Sequence, residues 1–180
     1  RANERDKDPL ELSQHYIKEY MIDYNNLSLK KHDINPTCTQ HIGGMISFIE
    51  NLIKEKKAYH VEGTVFFNID SFKEYGKLSN KNCDDLGQVH RIDPDPRKKS
   101  ALDFVLWKPA KEGEPSWDSP WGKGRPGWHI ECSAMASDIF GESFDIHSGG
   151  CDLKFPHHEN ELKQANARFN KCCWVKYFIH

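Results

Sequence analysis

Residues 144–161 read FDIHSGGCDLKFPHHENE. The run 143–147 predicts a short buried strand, and residues 148–152 supply a tight turn with two glycines. Pro156 stands at the favoured first position of a last helix. A strand, a glycine turn and a helix in this order form half of a doubly wound unit. The stretch therefore predicts an α/β fold.

Helices are predicted on both sides of the chain's middle. Residues 10–24 carry apolar side chains at helical spacing, with Asp8 as the cap and Pro9 in the first turn. A second helix is predicted from a Thr37 or Thr39 cap to about residue 57. Its expected buried stripe is Ile42, Met45, Ile46, Ile49 and Ile53. A third helix is expected from Gly127 to Phe140, ended by Gly141.

Strands and loops are predicted for the remaining segments. Residues 61–69 form a β-rich run with a turn at Gly63, and residues 104–107 form another short strand. Residues 70–101 fit loops around a short helix. Residues 108–127 are so rich in Pro and Gly that a long loop without regular structure is expected. The last residues, 177–180, resemble a strand.

Composition limits the function classes. The chain is 37% apolar and 29% charged, which is typical of a polar globular protein rather than a membrane protein. No run approaches the length of a membrane span, so no membrane partner is expected. The net charge of −2 argues against a surface dominated by nucleic-acid binding. The six cysteines fit neither a disulfide framework nor a CxxC zinc ribbon, so we expect a reducing, cytoplasmic location.

Two groups of residues suggest binding sites, one for a metal ion and one for a nucleotide. His157 and Glu161 lie four residues apart and share one helix face, and Cys132 could add a thiolate, which favours zinc over harder cations. A solvated helix face with an ordinary His–Glu pair explains the same spacing. Gly149 and Gly150 permit close backbone approach to a nucleotide, and Asp152 could bind ribose hydroxyls. Trp128 is either part of this site or a core aromatic at a helix start.

Two long motifs carry a family resemblance. Residues 127–135 (GWHIECSAM) and 145–161 (DIHSGGCDLKFPHHENE) resemble the signatures of cysteinyl-tRNA synthetase, a class I aminoacyl-tRNA synthetase. Residues 75–79 (YGKLS), 103–108 (DFVLWK), 113–117 (GEPSW) and 119–126 (SPWGKGRP) fit the same family. Weaker similarity covers residues 1–3 and 41–42. The resemblance therefore extends over nearly the whole chain.

The resemblance implies a set of site residues. Cys132, His157 and Glu161 would be three of four zinc ligands, the fourth being a cysteine upstream of residue 1. Trp128 and His147 would form part of the cysteine pocket, as its wall and as a polar partner. Gly149, Gly150 and Asp152 would hold the adenosine of ATP, which is used with magnesium.

Some residues receive no such role. Cys38 lies where the family has a non-ligand residue. The His-Ile at residues 41–42 is interpreted as a coincidental likeness to the His-Ile-Gly-His signature. His158 is expected either near the pocket or as a helix cap. His129, Glu131 and Glu159 are left unassigned.

The family further implies the organisation of the chain. The fold would be part of a Rossmann-like nucleotide-binding fold interrupted by a connective-peptide insertion. Residues 1–35 would end its first half, residues 36–126 would be the insertion, and residues 127–180 would begin its second half. The His-Ile-Gly-His and Lys-Met-Ser-Lys-Ser motifs would lie outside this piece. The parent would activate cysteine with ATP and transfer it to tRNA(Cys), and the piece alone would be inactive.

Three alternatives remain at this point. A related ligase joins cysteine to an amino-sugar acceptor and would keep the same pocket. A zinc hydrolase using His157 and Glu161 would need a further histidine and a free general base on that helix, and the sequence lacks this spacing. A non-catalytic zinc-stabilised module would bind the metal without any effect of cysteine.

Overall fold

Helices and strands alternate in the computed structural model, which describes residues 2–72, 75–81 and 95–180. The helices are α1 (Pro9–Asn26), α2 (Ile42–Lys54), α3 (Ile130–Phe140) and α4 (Glu159–Phe169). The strands are β1 (Ala58–Val61), β2 (Thr64–Phe67), β3 (Phe104–Pro109), β4 (Gly124–Pro126), β5 (Phe144–Ser148) and β6 (Val175–Ile179).

Helix α1 begins as the sequence predicts. The Asp8 carboxylate accepts hydrogen bonds from the backbone N–H of Leu10 at 2.8 Å and of Glu11 at 3.0 Å, and Pro9 lies in the first turn. None of its residues is buried, however, and Tyr16 and Tyr20 of its apolar stripe are 48% and 54% exposed. The stripe therefore faces solvent in this chain.

Helix α2 supplies much of the core. Met45 and Ile49 are fully buried as predicted, together with Phe48 and Leu52, whereas Ile46 and Ile53 are only partly buried. The predicted threonine cap is wrong, because Thr37 precedes a separate 3₁₀ turn at Cys38–Gln40 and makes no capping bond. The helix also ends at Lys54, since Lys56 adopts a left-handed φ of 57° that turns the chain into β1.

Strands β1 to β4 form an antiparallel sheet in sequence order. The predicted run 61–69 is divided by a two-residue turn, because Glu62 and Gly63 both have positive φ, 47° and 76°, as a tight hairpin requires. The turn at Gly63 is thus confirmed, but the strand before it starts at Ala58.

Strand β4 corrects the prediction of a loop without regular structure over residues 108–127. It pairs with β3 through Lys108 and Arg125, and a further bridge joins Trp117 to Gly124. A side chain at Gly124 would meet the Lys108 carbonyl oxygen at 2.4 Å, so glycine permits this pairing. Tertiary pairing here overrides the low strand propensity of Gly and Pro.

Strands β5 and β6 are parallel neighbours, and α4 lies between them in sequence. They form a β-α-β unit. The predicted burial of β5 is wrong, since Ile146 is 58% exposed. Within the described ranges only β6 pairs with β5, which leaves one edge of that strand open.

The entry to α4 is irregular. Residues Lys154–His158 form a wide turn interrupted at Phe155, whose φ of −139° and ψ of 132° are extended. A residue before proline is driven from the helical region by the proline ring, so Pro156 does not begin a regular helix directly. Helix α4 starts instead at Glu159.

One core joins the segments. Helices α2, α3 and α4 pack against one another and α2 packs against β1. The fully buried side chains include Phe67 and Trp107 from the sheet and Ile130 from α3. The short helix predicted within residues 70–101 falls partly on residues 82–94, which lie outside the described ranges. Among the described residues, none of the helices combines the length and the apolar character of a membrane span.

Truncation of matched isoleucines tests this core. We expect Ile49→Ala to lower the free energy of unfolding by about 2–5 kcal/mol, because it leaves a cavity among buried side chains. Ile22→Ala, at a residue 52% exposed on α1, should change it by no more than about 0.5 kcal/mol. Urea denaturation of the 180-residue chain measures both, and equal losses would contradict the assigned core.

Candidate functional site

Three elements bring the predicted metal ligands together. Cys132 lies in the first turn of α3, and His157 and Glu161 lie at the entry and first turn of α4. The Cys132 Sγ, one His157 ring nitrogen and one Glu161 carboxylate oxygen lie within 4.8 Å of one another. The alternative of a solvated His–Glu face is wrong, since Glu161 is fully buried and His157 is 5% exposed.

Glu161 is held by two imidazoles. Its Oε2 lies 2.7 Å from His147 Nε2, and its Oε1 lies 2.5 Å from His157 Nε2. Burial alone would raise the pKa of this carboxyl group strongly, but the hydrogen bond from His147 and the closeness of both imidazoles outweigh it and lower the pKa to about 2. The group is therefore a carboxylate at neutral pH.

The donor set fits a zinc ion. Although Glu161 Oε1 lies close to His157, the contact lacks hydrogen-bond geometry, so this buried oxygen has no hydrogen-bond donor among the described residues. A cation is the partner that such an oxygen, an imidazole and a thiol can share. Burial, followed by the charge of Glu161, raises the pKa of the Cys132 thiol. A metal bound here would displace that proton.

His147 and His158 make a second cluster with Glu161. One nitrogen of each imidazole lies within 4.8 Å of a Glu161 oxygen. His158 Nδ1 and His180 Nε2 also share a hydrogen bond of 2.7 Å, and burial lowers the pKa of His158 to about 4. The helix-cap alternative for His158 is wrong, because its side chain makes no capping bond to α4.

His129 is a site residue that the sequence analysis left unassigned. Its Nδ1 lies 2.9 Å from His157 Nδ1, and the side chain is almost fully buried. Burial, followed by the neighbouring charge of His157, lowers the His129 pKa to about 3. A neutral His129 ring can accept a hydrogen bond from the Nδ1–H of His157, which leaves the Nε2 of His157 as the nitrogen available to a metal. The three-residue spacing from Cys132 at the start of α3 could have indicated it.

Trp128 lies over the metal cluster and not in the core. Its ring stacks on His157 with centroids 4.6 Å apart and an interplanar angle of 20°, while 56% of the side chain stays exposed. The core-aromatic alternative is therefore wrong. The same ring lines a cavity of about 350 Å³ together with Lys108, Arg125 and Glu131.

The glycine turn lies beside the histidines. The Gly149 N–H donates to the Ile179 carbonyl oxygen at 3.1 Å, which ties the turn to the end of β6. A Cβ at Gly149 would come within 2.6 Å of the His158 ring, and one at Gly150 within 2.4 Å of the Asp152 carboxylate. Gly150 and Asp152 are exposed. The turn is thus open to solvent at Gly150 and Asp152, while a side chain at Gly149 would crowd the buried His158 ring.

Cys38 and His41, which were expected to have no role in the site, lie in other surroundings than the metal ligands. Cys38 is not part of the three-residue metal cluster. Burial, followed by the charge of Glu131 and a hydrogen bond to it, raises the Cys38 pKa to about 11. His41 precedes α2, where its Nδ1 donates to the Thr37 carbonyl oxygen at 2.9 Å.

Comparison with known proteins gives the family. The catalytic-domain family described as tRNA synthetases class I (C) matches residues 1–180. The chain is 53% identical over its whole length to a cysteine–tRNA ligase of Bdellovibrio bacteriovorus, 53% to one of Methanococcus maripaludis and 51% to one of Pyrococcus abyssi. It spans 37%, 38% and 38% of these relatives. This chain, with its mixed helices and strands, therefore belongs to the class I (C) family of tRNA synthetase catalytic domains.

Proposed function

We propose that this chain forms the central part of the catalytic domain of a cysteine–tRNA ligase. The parent would activate cysteine with ATP and transfer it to tRNA(Cys) in the cytoplasm. The observation that carries the proposal is the convergence of Cys132, His157 and Glu161 beside Trp128, in a chain about half identical to proteins named for that reaction.

Zinc is the metal that we assign to this cluster. A thiol, an imidazole and a carboxylate together favour zinc over magnesium or calcium. When bound, zinc supplies a soft Lewis acid that takes the thiolate of cysteine in preference to the harder hydroxyl of serine. A pocket that distinguishes such similar substrates by size alone achieves a difference in binding free energy of only about 1–3 kcal/mol. The fourth ligand would come from a cysteine upstream of residue 1.

The chain's own residues would shape the cysteine pocket. Trp128 would form its wall, because the ring stacks on His157 and keeps an open face. His147 would hold Glu161 through the 2.7 Å bond and serve as a polar partner for the substrate. His129 would orient His157 through the Nδ1–Nδ1 contact.

ATP would bind at the glycine turn. Gly149 and Gly150 would let the nucleotide approach the backbone, and Asp152 would bind ribose hydroxyls, since its carboxylate lies at the exposed edge of the turn. Magnesium would accompany the ATP phosphates.

The wider architecture that we propose is a Rossmann-like fold with an inserted connective segment. Residues 1–35 would close its first half, residues 36–126 would be the insertion, and residues 127–180 would open its second half. The parallel pair β5–β6, with α4 between the strands in sequence, supports this organisation.

Replacing the sulfur ligand tests the zinc assignment. In the full-length parent, Cys132→Ser should reduce zinc affinity and kcat/KM for cysteine by more than about 100-fold, since loss of an outer partner alone costs 10–100-fold. Zinc analysis and cysteine-dependent ATP–pyrophosphate exchange measure both. Cys172→Ser, at an exposed cysteine outside the cluster, is the matched control and should change neither. Undiminished zinc in Cys132→Ser would refute the assignment.

A second substitution tests the nucleotide turn. Asp152→Asn in the parent should raise KM for ATP about 10-fold, because hydrogen bonds to a charged group contribute about 1.5–3 kcal/mol. KM for cysteine should stay constant. Asp145→Asn, whose carboxylate pairs with Lys176 on the surface, is the control for loss of a nearby charge. Equal KM values for ATP in all three proteins would contradict the proposed role.

The isolated chain gives a third test. We expect the 180 residues alone to bind zinc weakly or not at all, because a missing thiolate removes much of the affinity. They should also show no cysteine-dependent pyrophosphate exchange. Stoichiometric zinc or clear exchange by this piece would show that it holds a complete site.

A further inference from the structure

Glu159 lies between the metal ligands His157 and Glu161 in sequence, yet its carboxylate accepts hydrogen bonds from a distant part of the chain. It is fully buried and belongs to neither metal cluster. Its Oε1 accepts the Gly76 N–H at 3.0 Å, and its Oε2 accepts the Ser79 N–H at 2.9 Å and the Ser79 hydroxyl at 3.1 Å. The partners are therefore two residues of the loop 75–81, about eighty positions earlier.

The loop 75–81 is built to present these donors. Gly76 has a φ of +94°, and a Cβ there would lie 2.0 Å from the Lys81 carbonyl oxygen. The Lys81 N–H closes the turn by donating to the Gly76 carbonyl oxygen at 3.0 Å. Only glycine can occupy this position without moving the loop, so the two N–H groups converge on one carboxylate.

Further contacts fasten the same loop to both sides of the entry to α4. The Tyr75 hydroxyl donates to Asn160 Oδ1 at 2.6 Å, and the Tyr75 ring meets Phe155 edge-on with centroids 6.3 Å apart. The Lys81 ammonium lies 4.5 Å from the Phe155 ring centroid. On the helix itself, Lys163 Nζ lies 3.4 Å from Glu159 Oε1. The loop thus contacts Phe155, two residues before His157, and it contacts Glu159 and Asn160, which lie between His157 and Glu161.

This support matters because the backbone is irregular just before the residues that carry the metal ligands. Extended Phe155 interrupts the segment Lys154–His158 that carries His157. His157 therefore lies near the N-terminal end of the helical backbone that carries Glu161, and extended Phe155 does not continue this helix on the other side of His157. Metal ligands must be held to within about 0.5 Å to bind tightly, and here the packing of the loop can supply that restraint.

We propose that Glu159 is a positioning residue for the metal site. By anchoring the loop 75–81 to the start of α4, it holds His157 and Glu161 in their relative positions. Glu159 itself touches neither metal nor substrate. The inference rests on the proposed zinc site and extends it to a segment of the sequence that had no assigned role.

Two variants of the full-length parent test the anchor from its two sides. Glu159→Gln removes the charge and replaces an acceptor oxygen with an N–H donor, and Gly76→Ala displaces the loop. Each should weaken zinc binding about 10–100-fold, as is usual for the loss of an outer partner, measured by competition with a chelator. KM for cysteine should rise and KM for ATP should stay unchanged. Glu142→Gln, which breaks a surface ion pair with Lys171, is the control and should leave zinc binding unaltered.

The double variant separates positioning from general loss of structure. If Glu159 acts through the loop, Glu159→Gln combined with Gly76→Ala should weaken zinc binding no more than either single change. Additive losses, or a lower Tm with unchanged zinc affinity, would overturn the inference. If Gly76→Ala does not fold, Ser79→Ala removes one bond to Oε2 and takes its place. If the wild-type parent binds no zinc, the proposed function is overturned together with this inference. If the variants bind zinc with the same affinity as the wild type, only this inference is overturned.

Discussion

A fully buried carboxylate between two imidazoles is the constraint on which the site depends. An isolated charge buried in this way would cost several kcal/mol, so Glu161 must find partners from other elements. His147 comes from β5 and His157 from the irregular entry to α4. The Oε1 atom beside His157 lacks a hydrogen-bond donor in the described chain, and a cation bound at the cluster would satisfy this buried oxygen.

The five residues from His157 to Glu161 perform two tasks. His157, His158 and Glu161 face the metal clusters, while Glu159 and Asn160 hold the loop 75–81. A compact motif can thus join metal chemistry to a segment far away in sequence. The same division explains why a buried polar turn is tolerated at all, since each of these groups meets a charged or hydrogen-bonding partner.

The main features of the fold could be predicted because local patterns determine them. Periodicity predicted α1 and α2, Gly141 ended α3, and His157 and Glu161 followed from helical spacing. Strand β4 could not be predicted, because three residues of Gly, Arg and Pro become a strand only through pairing with β3. The exposure of α1 and β5 depends on what packs against them, which periodicity does not give.

The candidate site could be predicted less completely from the sequence than the fold. Cys132 was first a candidate because of its thiol chemistry, and the family resemblance then assigned it to the metal site, since nothing local links a thiol in α3 to residues of α4. The pairing of His129 with His157, and of Glu159 with Gly76 and Ser79, depends on tertiary approach between distant segments. The domain boundaries at residues 35 and 126 stay predictions, although the buried core includes residues from both sides of the second boundary.

The central claim is that Cys132, His157 and Glu161 hold a zinc ion that also takes the substrate thiolate in the parent enzyme. X-ray absorption at the zinc edge of the full-length parent, with and without cysteine, tests it most directly. The account predicts sulfur at about 2.3 Å together with nitrogen and oxygen at about 2.0–2.2 Å, and one more sulfur when cysteine is added. A zinc shell without sulfur, or one that cysteine leaves unchanged, would contradict it.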